Sequence, residues 1–279
     1  MVDGPDLENE VVDEPESQAG VQMTVLQASE HERLVKSDER VRDLGEVFTP
    51  SATVAAMLDL LPADVWNPHP ASTFLEPACG DGNFLVAILD RKLEAAANAL
   101  ASRTLPAGQE LSAYEFHALE ALSSVYAVDI SVENVVGGIP GHELGARDRL
   151  LQVFKDWHYE VTSSRLTVTR RIFKSARWIV ARNVLVGNML DTNADGTESG
   201  RDSLPLVEYT WHPETGQVAV AVTTFGRVLA AQKAEASGIM PLFADEGPTE
   251  VWVGTPYDLH RAPVIAPSTR VPVPRNGRR

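Results

Sequence analysis

Thr73-Phe74-Leu75-Glu76-Pro77-Ala78-Cys79-Gly80-Asp81-Gly82-Asn83-Phe84-Leu85 is the stretch that decides the fold. Its first three residues form a short buried-type strand, which breaks into a glycine-containing turn. Phe84, Leu85, Ile88, Leu89 and Leu93 then recur at helical spacing and mark the inner face of a long amphipathic helix. Gly80 and Gly82 let the backbone approach a ligand closely, and the first turn of the helix offers unpaired N–H groups to a carboxylate or phosphate. The third glycine of the full dinucleotide fingerprint is replaced by Leu85, so the turn by itself does not decide the ligand.

Working outward, the same pattern repeats. Upstream, Val54, Met57, Leu58 and Leu61 predict a helix from about Ser51 to Leu61 behind Pro50, ended by Pro62. Downstream, a helix from Ala113 to Ser123 feeds the strand Val125-Tyr126-Ala127-Val128, closed by Asp129. A further helix, Leu166 to Ala181, leads into the strand Asn183-Val184-Leu185-Val186, with Gly187-Asn188-Met189 at its end. Short apolar runs alternating with helices define an α/β domain with a largely parallel sheet. Ligands of open α/β sheets bind outside the carboxyl ends of the strands, so the glycine turn, Asp129 and the Asn188-Met189 pair should converge on one crevice. That predicts a nucleotide-like ligand, with Asp129 placed to accept hydrogen bonds from ribose hydroxyls. The plainer alternative is that the glycines only make a tight turn and Asp129 caps the next helix. Beyond this core, Leu206 to Trp211 and Val218 to Phe225 read as a hairpin joined by Pro213-Glu214-Thr215-Gly216, followed by a helix from about Val228 to Ala236.

The chain has 279 residues, 44% of them hydrophobic, which is enough for one substantial core with extensions at the ends. The expected organisation is an acidic segment over 1–30, one main domain over 31–240 and a proline-rich basic segment over 241–279. No apolar run approaches the length of a membrane span, and the acidic N-terminus is unlike a signal peptide, so the expected location is the cytoplasm, with no membrane partner. The single cysteine, Cys79, rules out an internal disulfide, and the scattered histidines have no pair at metal-ligand spacing, so no metal is expected. The formal net charge of -15 is the reverse of a chain that grips DNA by itself. Asp3 to Glu16 is almost purely acidic and Arg270 to Arg279 is basic; both ends read as disordered, solvated tails, with docking to a partner or DNA as the alternative for the basic end.

Glu76-Pro77-Ala78-Cys79-Gly80-Asp81-Gly82-Asn83-Phe84-Leu85 closely resembles the cofactor-binding motif of the adenine-N6 DNA methyltransferases, including the modification subunits of restriction systems. Gly45-Glu46-Val47-Phe48-Thr49-Pro50 resembles the motif that precedes the first strand in that family and covers the methionine end of the cofactor. Tyr126-Ala127-Val128-Asp129-Ile130 resembles its second strand and Gly187-Asn188-Met189-Leu190 its third, so the matched stretch covers about residues 45 to 190. The resemblance implies a doubly wound, Rossmann-like fold that binds S-adenosyl-L-methionine. It gives the methionine moiety to Thr49 and the backbone at Ala78 and Gly80, the ribose to Asp129, and the adenine to Ile130, Asn188 and Met189, and it adds Phe48, Pro50, Glu76 and Gly82 to the cofactor-binding residues. The implied activity is methyl transfer to adenine N6 in DNA.

The sequence departs from the family where an Asn or Asp followed by Pro-Pro and an aromatic residue should end the fourth strand. That motif holds the exocyclic amine and stacks on a base flipped out of the duplex. At the corresponding place stands Leu206-Val207-Glu208-Tyr209-Thr210-Trp211, where Glu208 is the candidate acceptor and Tyr209 or Trp211 the candidate stacking ring; an ordinary sheet edge is the alternative. Thr255-Pro256-Tyr257-Asp258 reads as a turn, and Cys79 as a packed, inert side chain. No target-recognition domain is evident, so a separate specificity subunit is the expected source of DNA contacts. Two further readings stay open: a cofactor-binding regulatory protein without catalysis, and a methyltransferase for RNA, protein or a small molecule.

Overall fold

Phe74–Glu76 (β1) pairs in parallel with Val125–Asp129 (β2), and β2 in parallel with Val184–Val186 (β3), giving a three-stranded sheet in the order β1-β2-β3. The computed structural model describes residues 49–101, 110–138, 144–190, 192–193, 195–237 and 250–263. Phe48, the expected acidic segment 1–30 and residues 264–279 lie outside the described residues, whereas 250–263, placed by the sequence reading in the C-terminal segment, form a strand and a 3-10 turn. The chain divides into two compact units, Met1–Ala52 and Thr53–Arg279. Among the described residues no helix is long and apolar enough to cross a membrane.

The helices are α1 (Ser51–Leu58), α2 (Asn83–Ala101), α3 (Glu110–Ser123), α4 (Val132–Val136), α5 (Ala146–Thr162), α6 (Arg171–Asn183) and α7 (Phe225–Ser237). The first stops at Leu58, three residues short of the expectation, and a 3-10 turn at Ala63–Trp66 follows Pro62. Asn183, read as a strand residue, closes α6, and α6 begins at Arg171 rather than Leu166. Helices α4 and α5 have no counterpart in the sequence reading. In α5 the buried side chains Ala146, Leu150, Phe154 and His158 follow one another at four-residue steps, a single narrow stripe on a highly polar helix. Leu85, Leu89 and Leu93 of α2, Leu119 and Leu122 of α3, Ile179 of α6 and Ala127 of β2 fill the core; each large aliphatic side chain buried there contributes about 1.5–3 kcal/mol.

Helices α3 and α6 run straight into β2 and β3, so their C-termini mark the starting end of the parallel sheet. The buried Asn183 side chain ties these starts together, donating to the carbonyls of Ser123 at 2.8 Å and Val125 at 3.2 Å. Pro205–His212 (β4), Gln217–Thr224 (β5) and Glu250–Gly254 (β6) form a separate antiparallel sheet in the order β4-β5-β6. The expected hairpin is therefore present, its turn at 213–216, while β6 is an addition. This second sheet meets the first at its starting end: Trp211 Nε1 donates to Ser123 Oγ at 2.9 Å and the Tyr126 hydroxyl to the Val207 carbonyl.

One buried cation shapes the approach to β1. Lys92 of α2 is 2% exposed, donates to the Ser72 carbonyl at 2.7 Å, and lies 4.9 Å from the centre of the Phe74 ring. Burial pushes its pKa down to about 8, against the opposing pull of Glu120. Between about 8 and the ordinary value of 10.5 the unfolded chain holds a proton that the folded chain has lost, so this residue makes stability rise with pH across that window. Lys92→Met should flatten that rise, by about 3 kcal/mol at most, in denaturant titrations at pH 7.5 and 9.5; parallel curves for both proteins would show that Lys92 does not titrate there.

Candidate functional site

The other end of the parallel sheet gathers the three loops that the sequence singled out. After β1 the chain turns back so that Cys79 N donates to the Val128 carbonyl at 3.1 Å, and beyond β3 Gly187 N donates to the Asp129 carbonyl at 2.9 Å. Both flanking loops are thus pinned to the end of β2. Within the first loop, Gly80 and Gly82 have φ of 53° and 99°, left-handed conformations that side-chain-bearing residues rarely adopt. At Gly82 a Cβ would also come within 3.1 Å of Ala146 Cβ, so the turn and the start of α5 touch at two of the smallest residues.

Asp129 is the hub. Its Oδ2 accepts from Gly80 N at 2.8 Å, and its Oδ1 accepts from Ser131 N at 2.8 Å and from the Asn134 side chain at 3.2 Å. Ser131 in turn caps α4, its Oγ accepting from Asn134 N at 3.3 Å. A carboxylate has about four lone-pair directions, two per oxygen, so Oδ1 is saturated and Oδ2 keeps one free for an incoming donor. The plain reading, in which Asp129 only braces a turn and a helix, and the ligand reading are therefore compatible in one side chain.

Around this hub, Glu76 accepts from Ala78 N at 3.2 Å, and Asn188 is held in a local turn, accepting from Leu190 N at 3.0 Å and donating to Asn193 at 3.1 Å. Met189 is half-buried beside it, while Ile130 is 57% exposed next to Asp129. Thr49 and Pro50 belong to the first unit. Burial, reinforced by Asp129 and Glu76, pushes the Cys79 thiol far above its ordinary pKa, so it stays protonated and unreactive. The sequence reading missed Arg149: from α5 its guanidinium binds the Asp81 carbonyl at 3.0 Å, the Asp81 carboxylate at 2.7 Å and Asn83 Oδ1 at 2.8 Å, clamping the glycine turn from outside. Only recognition of α5 as a helix would have brought Arg149 into view.

Glu208 and Tyr209 are not brought to this crevice. The Tyr209 hydroxyl donates to Asn183 Oδ1 at 3.0 Å, and its ring meets Trp178 edge-on at 6.3 Å. Both contacts lie at the starting end of the sheet, and the four steps along β2 from Val125 to Asp129 separate the two ends by about 13 Å. Burial, with Tyr126 adding, holds the Tyr209 hydroxyl well above its ordinary pKa, so it is a fixed donor rather than a base. Glu208 lies on the same strand opposite Ala221 and helps push the Tyr126 hydroxyl upward. Tyr209→Phe should cost about 1–2 kcal/mol in denaturant unfolding by orphaning the Asn183 oxygen, and leave ligand affinity at Asp129 unchanged; a change in affinity would place Tyr209 in the site after all.

Comparison with family models, with curated proteins and with solved structures found no match. Among the described residues no cluster of histidine, cysteine and carboxylate side chains is arranged to hold a metal ion.

Proposed function

We propose that this chain binds S-adenosyl-L-methionine at the ends of β1, β2 and β3 and passes its methyl group to DNA, at an adenine N6. The observation that carries the reading is the hydrogen bond from Gly80 N to Asp129, which joins the glycine turn of one strand to the acid of the next in a parallel sheet. In this reading β1, β2 and β3 represent one half of a doubly wound, Rossmann-like sheet. The turn and the start of α2 face the methionine carboxylate, and the free lone pair of Asp129 takes one ribose hydroxyl. Ile130 covers the adenine ring, beside Asn188 and Met189. When bound, the cofactor supplies an electrophilic methyl group on a sulfonium. The chain's own task is to orient it and to exclude water. DNA contacts in register with the target come from a partner specificity subunit.

A second reading is favoured by one observation: Tyr209, the expected base-stacking ring, is committed to Asn183 and Trp178 at the far end of the sheet. On that reading the chain binds the cofactor and regulates a complex without transferring a methyl group. Calorimetric titration with S-adenosylmethionine, followed by transfer of a tritiated methyl group to unmethylated genomic DNA, separates the two. Binding with transfer supports the first reading and binding without transfer the second. An absence of binding would remove both.

A further inference from the structure

The chain is strongly acidic, yet no aspartate or glutamate stands between Glu160 and Asp191, a stretch that carries Arg165, Arg170, Arg171, Lys174, Arg177 and Arg182. The structure sorts these cations. Arg171 pairs with Asp258, and Arg182 lies flat on Trp178, 3.9 Å from its ring centre. Arg170, Lys174 and Arg177 are exposed and have no acidic partner among the described residues. Offsets of four and three residues put them on one face of α6, beginning at its N-cap, a stripe about 10 Å long. On the opposite faces of the same helix Ile172, Phe173, Ala176 and Ile179 are buried, so the stripe is held on a rigid, fully packed support. In the neighbouring Pro256–Arg261 turn Asp258 is taken up by Arg171 and Arg261, and burial followed by Arg261 and Lys174 pushes the His260 pKa down against the opposing pull of Asp258.

We propose that the Arg170–Lys174–Arg177 stripe is a docking surface for the phosphate backbone of duplex DNA. The geometry favours a polyanion over an apolar partner, because the stripe presents cations to water while the helix's apolar residues are turned inward. A stripe of this length faces several phosphates, since a duplex carries one charge per about 1.7 Å of its axis. The surface is remote from Asp129. Arg177 adjoins Trp178, whose ring meets Tyr209 at the starting end of the parallel sheet, and Asp129 closes the other end. The stripe is therefore an anchor for DNA, not part of the transfer site. The choice of DNA as polymer rests on the proposed function; the existence of a polyanion surface rests on the charge pattern alone.

The test is fluorescence anisotropy of the full chain with a labelled 30-base-pair duplex at salt concentrations from 50 to 200 mM. Arg170→Gln, Lys174→Gln and Arg177→Gln combined should lower the slope of log affinity against log salt by about 2.7, and so weaken binding more than about tenfold at the lowest salt. The charge-preserving pair Arg170→Lys and Arg177→Lys should restore the wild-type slope, which a folding defect would not do. An unchanged slope in the neutralised variant, or binding of poly-glutamate in preference to the duplex, would overturn the proposal. Cofactor titration in the same variant should be unaltered. Loss of cofactor binding in the wild type with the salt effect intact would sink the methyl-transfer reading and spare this one.

Discussion

Asp129→Ala is expected to weaken S-adenosylmethionine binding by two orders of magnitude or more, about 3 kcal/mol, in calorimetric titration. The loss has two sources. On the proposed function the variant removes the acceptor for a ribose hydroxyl, a charge-assisted bond of about 1.5–3 kcal/mol, and it frees the Gly80 amide that fixes the turn. Because Ser131 N and Asn134 lose the same acceptor, α4 is loosened too, and unfolding stability should fall by about 2–4 kcal/mol. Asp129→Asn makes the more discriminating companion. Its amide group must point one N–H pair either at Gly80 N or at the Ser131 and Asn134 donors, so it recovers part of the stability but not the affinity. Full affinity in either variant would reduce Asp129 to a structural brace.

Among the described glycines, Gly145→Ala should be strongly damaging. Gly145 caps α5, and a Cβ there would lie 2.2 Å from Gly137 N, 2.6 Å from Val136 C and 2.8 Å from the Val135 carbonyl oxygen. All of these are backbone atoms at the end of α4, and backbone cannot swing aside as a long side chain does, so a cost of about 3 kcal/mol or more in denaturant unfolding is expected. Gly138→Ala is the control: nothing stands within 4 Å of its Cβ position, and its effect should stay within about 0.5 kcal/mol. Equal stability of the two variants would mean that the α4–α5 junction yields easily.

The parts of the fold that were readable in advance are those whose signal is local. The run from Thr73 to Leu93 announces strand, turn and helix because its apolar spacing changes abruptly at the glycines, and Asp129 and Gly187 stand where short apolar runs stop. Helix α5 escaped notice because its inner face is Ala146, Leu150, Phe154 and His158, only two of them strongly apolar, among charged residues. His158 belongs inside because its Nε2 lies 3.0 Å from the buried Glu115 of α3, a partnership between residues 43 apart that no spacing rule exposes. The same holds for the site. Asp129 could be placed at a strand end from its neighbours, but its partners Ser131 and Asn134 depend on the unread helix α4. The role expected of Leu206–Trp211 presumed a fourth strand serving the crevice; long-range contacts instead carry β4 to the starts of β2 and β3, where Tyr209 and Trp211 find Asn183 and Ser123.

The Gly80–Asp129 hydrogen bond joins two groups of the chain itself, and Arg149 holds the same turn from its outer side. The conformational entropy of ordering that loop is therefore spent when the chain folds, not when a ligand arrives. For the cofactor proposed to bind at these strand ends, the glycine turn is then a mould held in shape by the chain's own contacts rather than a closing jaw.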